Sequence, residues 1–167
     1  ALEHGCDCTS YASGMAAISM VMELFKPGDT IISSDDLYGG SIRLFRFVNE
    51  KNGIQFKFIN TSHEDKVEEA FDETVKAVYI ETPTNPMMQI TDIRKTADIA
   101  HAHGALLIAD NTFMSPYFCN PIDFGADIVI HSGTKYLAGH NDTLAGFVVA
   151  KDKEVAEKIR FLYKTVG

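Results

Sequence analysis

Short apolar runs alternate with helix-length amphipathic stretches along the whole chain, and that alternation decides most of what it can fold into. Val78-Tyr79-Ile80, Leu106-Leu107-Ile108 and Ile128-Val129-Ile130 are nearly continuous apolar segments, the mark of strands covered on both faces. Strands are expected over residues 8–12, 30–33, 55–59, 77–81, 105–110, 127–131 and 145–150. Helices are expected over residues 13–25, 41–51, 64–71, 92–103 and 152–163. Pro27-Gly28-Asp29, Gly53 and Gly104 supply stop signals for the first, second and fourth of these helices. Repeated strand–helix–strand predicts an α/β fold, a mostly parallel sheet with helices on both faces. Between His131 and Ala145, however, no stretch reads as an ordinary helix. A parallel crossover needs about a dozen residues or more, usually helical. The last strand is therefore expected to be antiparallel, one reversed strand in a seven-stranded sheet.

Composition narrows the function classes. Residues 1–167 are enough for one domain with a real core, and 46% apolar against 23% charged residues suits a packed globular protein. The formal net charge of −8 and the lack of any basic run argue against a nucleic-acid partner, whose binding depends on Lys and Arg displacing counterions. No uninterrupted apolar stretch is long enough for a membrane span, so no membrane partner is expected. The first residues have neither the basic nor the apolar region of a signal peptide, and the absence of a starting Met suggests a part of something longer. Three cysteines, Cys6, Cys8 and Cys119, form no disulfide framework and suggest a reducing, cytoplasmic setting. They read as small buried or edge-strand thiols. No metal site is expected: Cys6 and Cys8 lack further ligands, and His101, His103, His131 and His140 complete no ligand set.

In a parallel sheet, ligands bind beyond the carboxyl ends of the strands. The segments that follow those ends therefore form the candidate site. Ser13-Gly14-Met15 opens a helix and offers free N–H groups to an anion, although Ser13 serves equally well as a simple N-cap. Ser132 and Thr134 add hydroxyls. Asp110 ends an apolar strand, where it is either a cap or a charge held for a cationic partner. Lys135 follows another apolar strand, as a solvated loop lysine or as an amine for a carbonyl ligand. No Gly-x-Gly-x-x-Gly follows a strand and no Walker-type phosphate loop occurs, which disfavours dinucleotide and nucleoside-triphosphate sites of those types. An amine, a carboxylate and an anion cup together suit pyridoxal 5′-phosphate (PLP), which carries an aldehyde, a pyridine nitrogen and a phosphate.

Five motifs then stand in order: Tyr11-Ala12-Ser13-Gly14-Met15-Ala16-Ala17, Leu37-Tyr38-Gly39-Gly40-Ser41, Glu81-Thr82-Pro83-Thr84-Asn85-Pro86, Ala109-Asp110-Asn111-Thr112-Phe113 and Ser132-Gly133-Thr134-Lys135-Tyr136-Leu137-Ala138-Gly139-His140-Asn141-Asp142. With these, the chain resembles the PLP-dependent enzymes of cysteine and methionine metabolism: cystathionine γ-synthase, cystathionine β- and γ-lyases, and methionine γ-lyase. The resemblance implies that Lys135 holds PLP as a Schiff base and moves protons, and that Asp110 pairs with the pyridine nitrogen. It implies that Tyr38 stacks on the ring and takes part in catalysis, and that Gly14, Met15, Ser132 and Thr134 cup the phosphate. Asn85 would lie beside cofactor and substrate carboxylate, and Arg43 near the substrate. Where methionine γ-lyases usually carry cysteine, this chain has Gly40, which leans towards the cystathionine enzymes.

The resemblance further implies β or γ elimination, or γ replacement, on cystathionine or a related sulfur amino acid (transsulfuration), as a lyase or transferase. It implies the fold of the type I PLP-dependent large domain, and a cytoplasmic homo-oligomer of dimers assembling to tetramers. Family members carry an N-terminal arm and a C-terminal small domain that residues 1–167 do not include. The chain thus reads as the PLP-binding large domain. Two other readings stand beside the enzyme: a truncated domain that binds PLP or oligomerises without turnover, and an unrelated α/β domain for another phosphorylated ligand.

Overall fold

The computed structural model describes residues 1–166. Its seven strands are β1 (Asp7–Tyr11), β2 (Thr30–Ser34), β3 (Gln55–Ile59), β4 (Val75–Glu81), β5 (Leu106–Asp110), β6 (Ile128–Ser132) and β7 (Gly146–Ala150). They form one sheet in the order β1-β7-β6-β5-β4-β2-β3. β7 is antiparallel to both of its neighbours, while the pairings from β6 across to β3 are parallel. The reversed strand is thus the one expected from the short connection before it.

The described residues also form six α-helices: α1 (Gly14–Met22), α2 (Gly39–Leu44), α3 (Glu64–Glu69), α4 (Ile93–Ala102), α5 (Ser115–Phe118) and α6 (Lys153–Val166). Two apolar layers result, one on each sheet face. Ala17, Val21, Phe45, Tyr79, Ile108, Ile130, Val148 and Ile159 join α1, the turn that follows α2, and α6 to one face. Val67, Ala97 and Ala100 of α3 and α4 meet Ile32, Val78, Ile80, Leu107 and Val129 on the other. On α4 the buried residues Ile93, Thr96, Ala97 and Ala100 repeat at helical spacing, and Asp92 caps the helix by accepting the Lys95 N–H at 3.1 Å. None of the described helices is long and apolar enough to cross a membrane.

The structure departs from the sequence expectation in three places. The expected helix 41–51 begins earlier, at Gly39, and after Leu44 widens into a π-helical turn, Phe45–Asn49. Ser41, Phe45 and Asn49 are all buried, at a spacing of four. That spacing exceeds the roughly 3.6 residues per turn of an α-helix, and the wider turn returns Asn49 to the sheet. Phe45 anchors the segment by stacking on Phe56 at 4.5 Å and meeting Tyr79 edge-on at 5.2 Å. Helix α5 and a 3-10 turn, Pro121–Phe124, occupy a stretch for which no element is expected. The last helix continues past Tyr163 to Val166. The cysteines form no disulfide; Cys8 lies on edge strand β1, Cys6 is exposed beside it, and Cys119 is half-buried.

His131, weak evidence for any ligand from sequence, is fully buried. Its Nε2 lies 2.5 Å from Oε1 of the equally buried Glu3, which also accepts from Asn111 Nδ2 at 2.7 Å. This pair ties the N-terminal segment to β6. His101 and His103 bond separately, to Asp127 and Glu68, each at 2.8 Å.

Candidate active site

The carboxyl ends of β2, β4, β5 and β6 and the start of α1 surround a cavity of about 400 Å³. Gly14, Met15, Tyr38, Asn85, Asp110, Ser132, Thr134 and Lys135 all line it, although they lie far apart in the chain. Arg43 does not. It is an exposed residue of α2, whose buried residues are Gly40 and Ser41.

At one end of the cavity, Ser13 caps α1 by accepting the Ala16 N–H at 3.1 Å. The capping reading therefore holds, and it leaves the first turn of α1 beside Ser132. A Cβ on Gly14 would come within 2.7 Å of Ser132 Cβ, so only glycine lets this turn approach β6 so closely. Thr134 exchanges hydrogen bonds with Ala145, its Oγ1 accepting the Ala145 N–H at 3.2 Å. Backbone amides at a helix start, with hydroxyls opposite, form a cradle for a phosphate dianion.

At the other end lies Asp110, buried. Its Oδ1 accepts from both the backbone N–H and the hydroxyl of Thr112, at 3.0 and 2.6 Å. The Thr112 hydroxyl in turn accepts the Ser132 N–H at 2.8 Å, joining the carboxylate to the phosphate end. The Tyr79 hydroxyl donates to Asp110 Oδ2 at a long 3.4 Å. Burial pushes the Asp110 carboxyl above its usual value, against the Thr112 bonds that favour its charge. The turn-cap reading therefore holds.

Sequence reasoning missed Glu81 and Thr112. Glu81 ends β4 and is the register partner of Asp110. Its pKa is pushed up to about 8, chiefly by burial and then by the Asp110 charge, while the Tyr38 N–H works in the opposite direction. An acid ending an apolar strand was the available signal, the same one that singled out Asp110. Between the usual 4.5 and about 8 the folded protein keeps a proton that the unfolded chain has released. Stability should therefore fall as pH rises through that window and level off above it. At ~1.36 kcal/mol per unit the cost is on the order of 5 kcal/mol. Glu81→Gln is expected to flatten the decline, as urea denaturation at several pH values would show; a slope unchanged by the substitution would contradict the assignment.

Lys135 stands in the turn after β6, where its N–H meets the Ser132 carbonyl at 3.3 Å. Among the described residues its ammonium forms no ion pair or hydrogen bond, and the residue lines the cavity along with Asp110 and the cradle. The Tyr38 ring lies against the Cα of Gly40. A Cβ there would collide with that ring and approach Met15 Sδ to 2.9 Å. Gly40→Ala should gain about 1 kcal/mol of helix propensity yet displace the ring. Changed chemical shifts of the Tyr38 ring protons are the expected sign, and unchanged shifts would rule the contact out.

The inventory fits PLP: an anion cradle, a buried carboxylate, an unpaired amine and an aromatic side chain share one cavity of suitable size. Comparison with known proteins agrees. The family model described as "Cys/Met metabolism PLP-dependent enzyme" matches residues 1–167. A cystathionine gamma-lyase of Bacillus subtilis is 49% identical over 99% of this chain and 44% of its own length. A cystathionine gamma-synthase/O-acetylhomoserine (thiol)-lyase of the same organism is 51% identical over 95% of the chain and 42% of its own. The crystal structure of a Lactobacillus plantarum cystathionine gamma-lyase complexed with L-serine superposes with a TM-score of 0.98 at 47% identity, covering 99% of this chain and 43% of that one. The chain thus spans less than half the length of the relatives it matches. It belongs to the family of PLP-dependent enzymes of cysteine and methionine metabolism.

Proposed function

We propose that this chain is the PLP-binding large domain of an enzyme that carries out β or γ elimination, or γ replacement, on cystathionine or a related sulfur amino acid. The observation that carries this reading is the meeting of Lys135, Asp110, Tyr38, Asn85 and the Gly14–Ser132 cradle in one cavity. When bound, PLP supplies an electron sink that stabilises negative charge at the substrate Cα. The residues do the rest. Gly14, Met15, Ser132 and Thr134 would hold the phosphate, and the Asp110 carboxylate would face the ring nitrogen. Tyr38 would flank the ring. Lys135 would hold the aldehyde carbon, and its amine would serve as the base at the substrate Cα. Asn85 stands where a substrate carboxylate can meet it.

One observation favours a second reading, in which the chain binds PLP without turnover. Among the described residues no arginine lines the cavity, so no guanidinium is placed to grip the substrate carboxylate. The whole protein is proposed to be a cytoplasmic homo-oligomer, dimers pairing to tetramers. The exposed aromatic pair Tyr117 and Phe118, on α5, supports association. Absorbance separates the readings. PLP added to the chain should give a visible band that borohydride abolishes; a lyase assay with cystathionine then distinguishes turnover from binding. A protein that stays colourless with PLP would refute both readings.

A further inference from the structure

Glu81 has no part in the function described above, yet it is nearly inaccessible to solvent and lines the same cavity. Its Oε2 accepts the backbone N–H of Tyr38 at 2.9 Å. Tyr38 immediately precedes α2, and no side chain of its own caps that helix. The Tyr38 carbonyl accepts the Ser41 N–H at 2.9 Å and the Ile42 N–H at 3.3 Å. The two backbone groups of Tyr38 are therefore both committed, one to Glu81 and the other to the first turn of α2.

A second tie joins the same segments without holding Tyr38 itself. The Asp36 carboxylate accepts the Thr84 hydroxyl and, at 2.9 Å, the Met87 N–H. It fixes the segment two residues before the tyrosine. Past that point the Glu81 bond joins Tyr38 itself to β4, and the ring then rests on Gly40 and Met15. A carboxyl buried beside Asp110 is an expensive acceptor for one amide, because no cation among the described residues offsets its burial.

We propose that Glu81 is a positioning residue that locks the Tyr38 backbone, and with it the ring, at the cavity wall for stacking on a flat ring ligand. The identity of that ligand as PLP rests on the function proposed above; the tether itself does not.

The test compares Glu81→Ala, Glu81→Asp and Glu81→Gln in the cofactor-free chain at mildly acidic pH. Exchange of the Tyr38 amide, read by NMR, should be about tenfold faster in Glu81→Ala, the effect of losing one ordinary hydrogen bond. Glu81→Asp withdraws the acceptor by one methylene and should behave like Glu81→Ala, which keeps the tether testable if the alanine variant does not fold. Glu81→Gln keeps an oxygen in place and should restore slow exchange. Amides of β4 and β5 away from the site serve as controls. Spectrophotometric titration with PLP should show an affinity about tenfold lower in Glu81→Ala, with rescue by Glu81→Gln. Tyr38 exchange unchanged in both shortened variants would overturn the proposal. So would equal loss of PLP affinity in Glu81→Gln and Glu81→Ala with slow exchange retained in the former, since charge rather than the tether would then matter. A wild-type chain that takes up no PLP would refute the cofactor reading, while the exchange comparison would still decide the tether.

Discussion

Replacing Lys135 with alanine is expected to abolish covalent capture of PLP while leaving part of its non-covalent binding. The cradle of Gly14, Met15, Ser132 and Thr134 is built from the start of α1 and the end of β6, and none of its hydrogen bonds uses the lysine side chain. Lys135 is exposed and its ammonium bonds nothing among the described residues, so its removal should leave the melting temperature unchanged within a degree or two. Borohydride reduction followed by peptide mass mapping should place the pyridoxyl group on Lys135 in the wild-type chain and nowhere in the variant. Label on Lys151 or Lys153 would show that the wrong amine has been assigned.

Asp110→Asn is the second large effect. The amide oxygen can still accept from the Thr112 N–H and hydroxyl, so the turn after β5 should survive. Burying a neutral amide is also cheaper than burying a carboxylate. Thermal stability should stay level or rise slightly. The loss falls on the ligand: an ion pair at about 4 Å is worth roughly 4 kcal/mol at an effective dielectric near 20, close to a thousandfold in affinity for a protonated ring. Titration with PLP and a thermal melt on the same sample measure both halves. A protein that fails to fold would make Asp110 a structural cap alone, and unchanged affinity would remove it from the site.

Much of this was legible in the sequence for identifiable reasons. Continuous apolar runs such as Ile128-Val129-Ile130 mark strands buried on both faces, and the residues after those strands lie at one sheet edge in any parallel arrangement. Five motifs in fixed order carried the family. Glu81 was less legible because its role appears only when β4 and β5 pair in register, setting it beside Asp110 and under the Tyr38 amide. Thr112 likewise looks like an ordinary turn residue until its hydroxyl is seen joining Asp110 to Ser132.

The sequence by itself determined the fold class, the reversed last strand and the sheet edge at which the motif residues gather, all of which follow from periodicity, connection length and motif. Tertiary structure alone decided how the strands are ordered, with β2 between β3 and β4, and β1 beside β7. It also decided that α2 opens into a π-helical turn and that Arg43 is exposed and does not line the cavity. Local patterns state which face of an element is apolar. They do not state which element it meets, and arrangement at the cavity is set by contacts such as Phe45 on Phe56 and Gly40 against Met15, between residues far apart in the sequence.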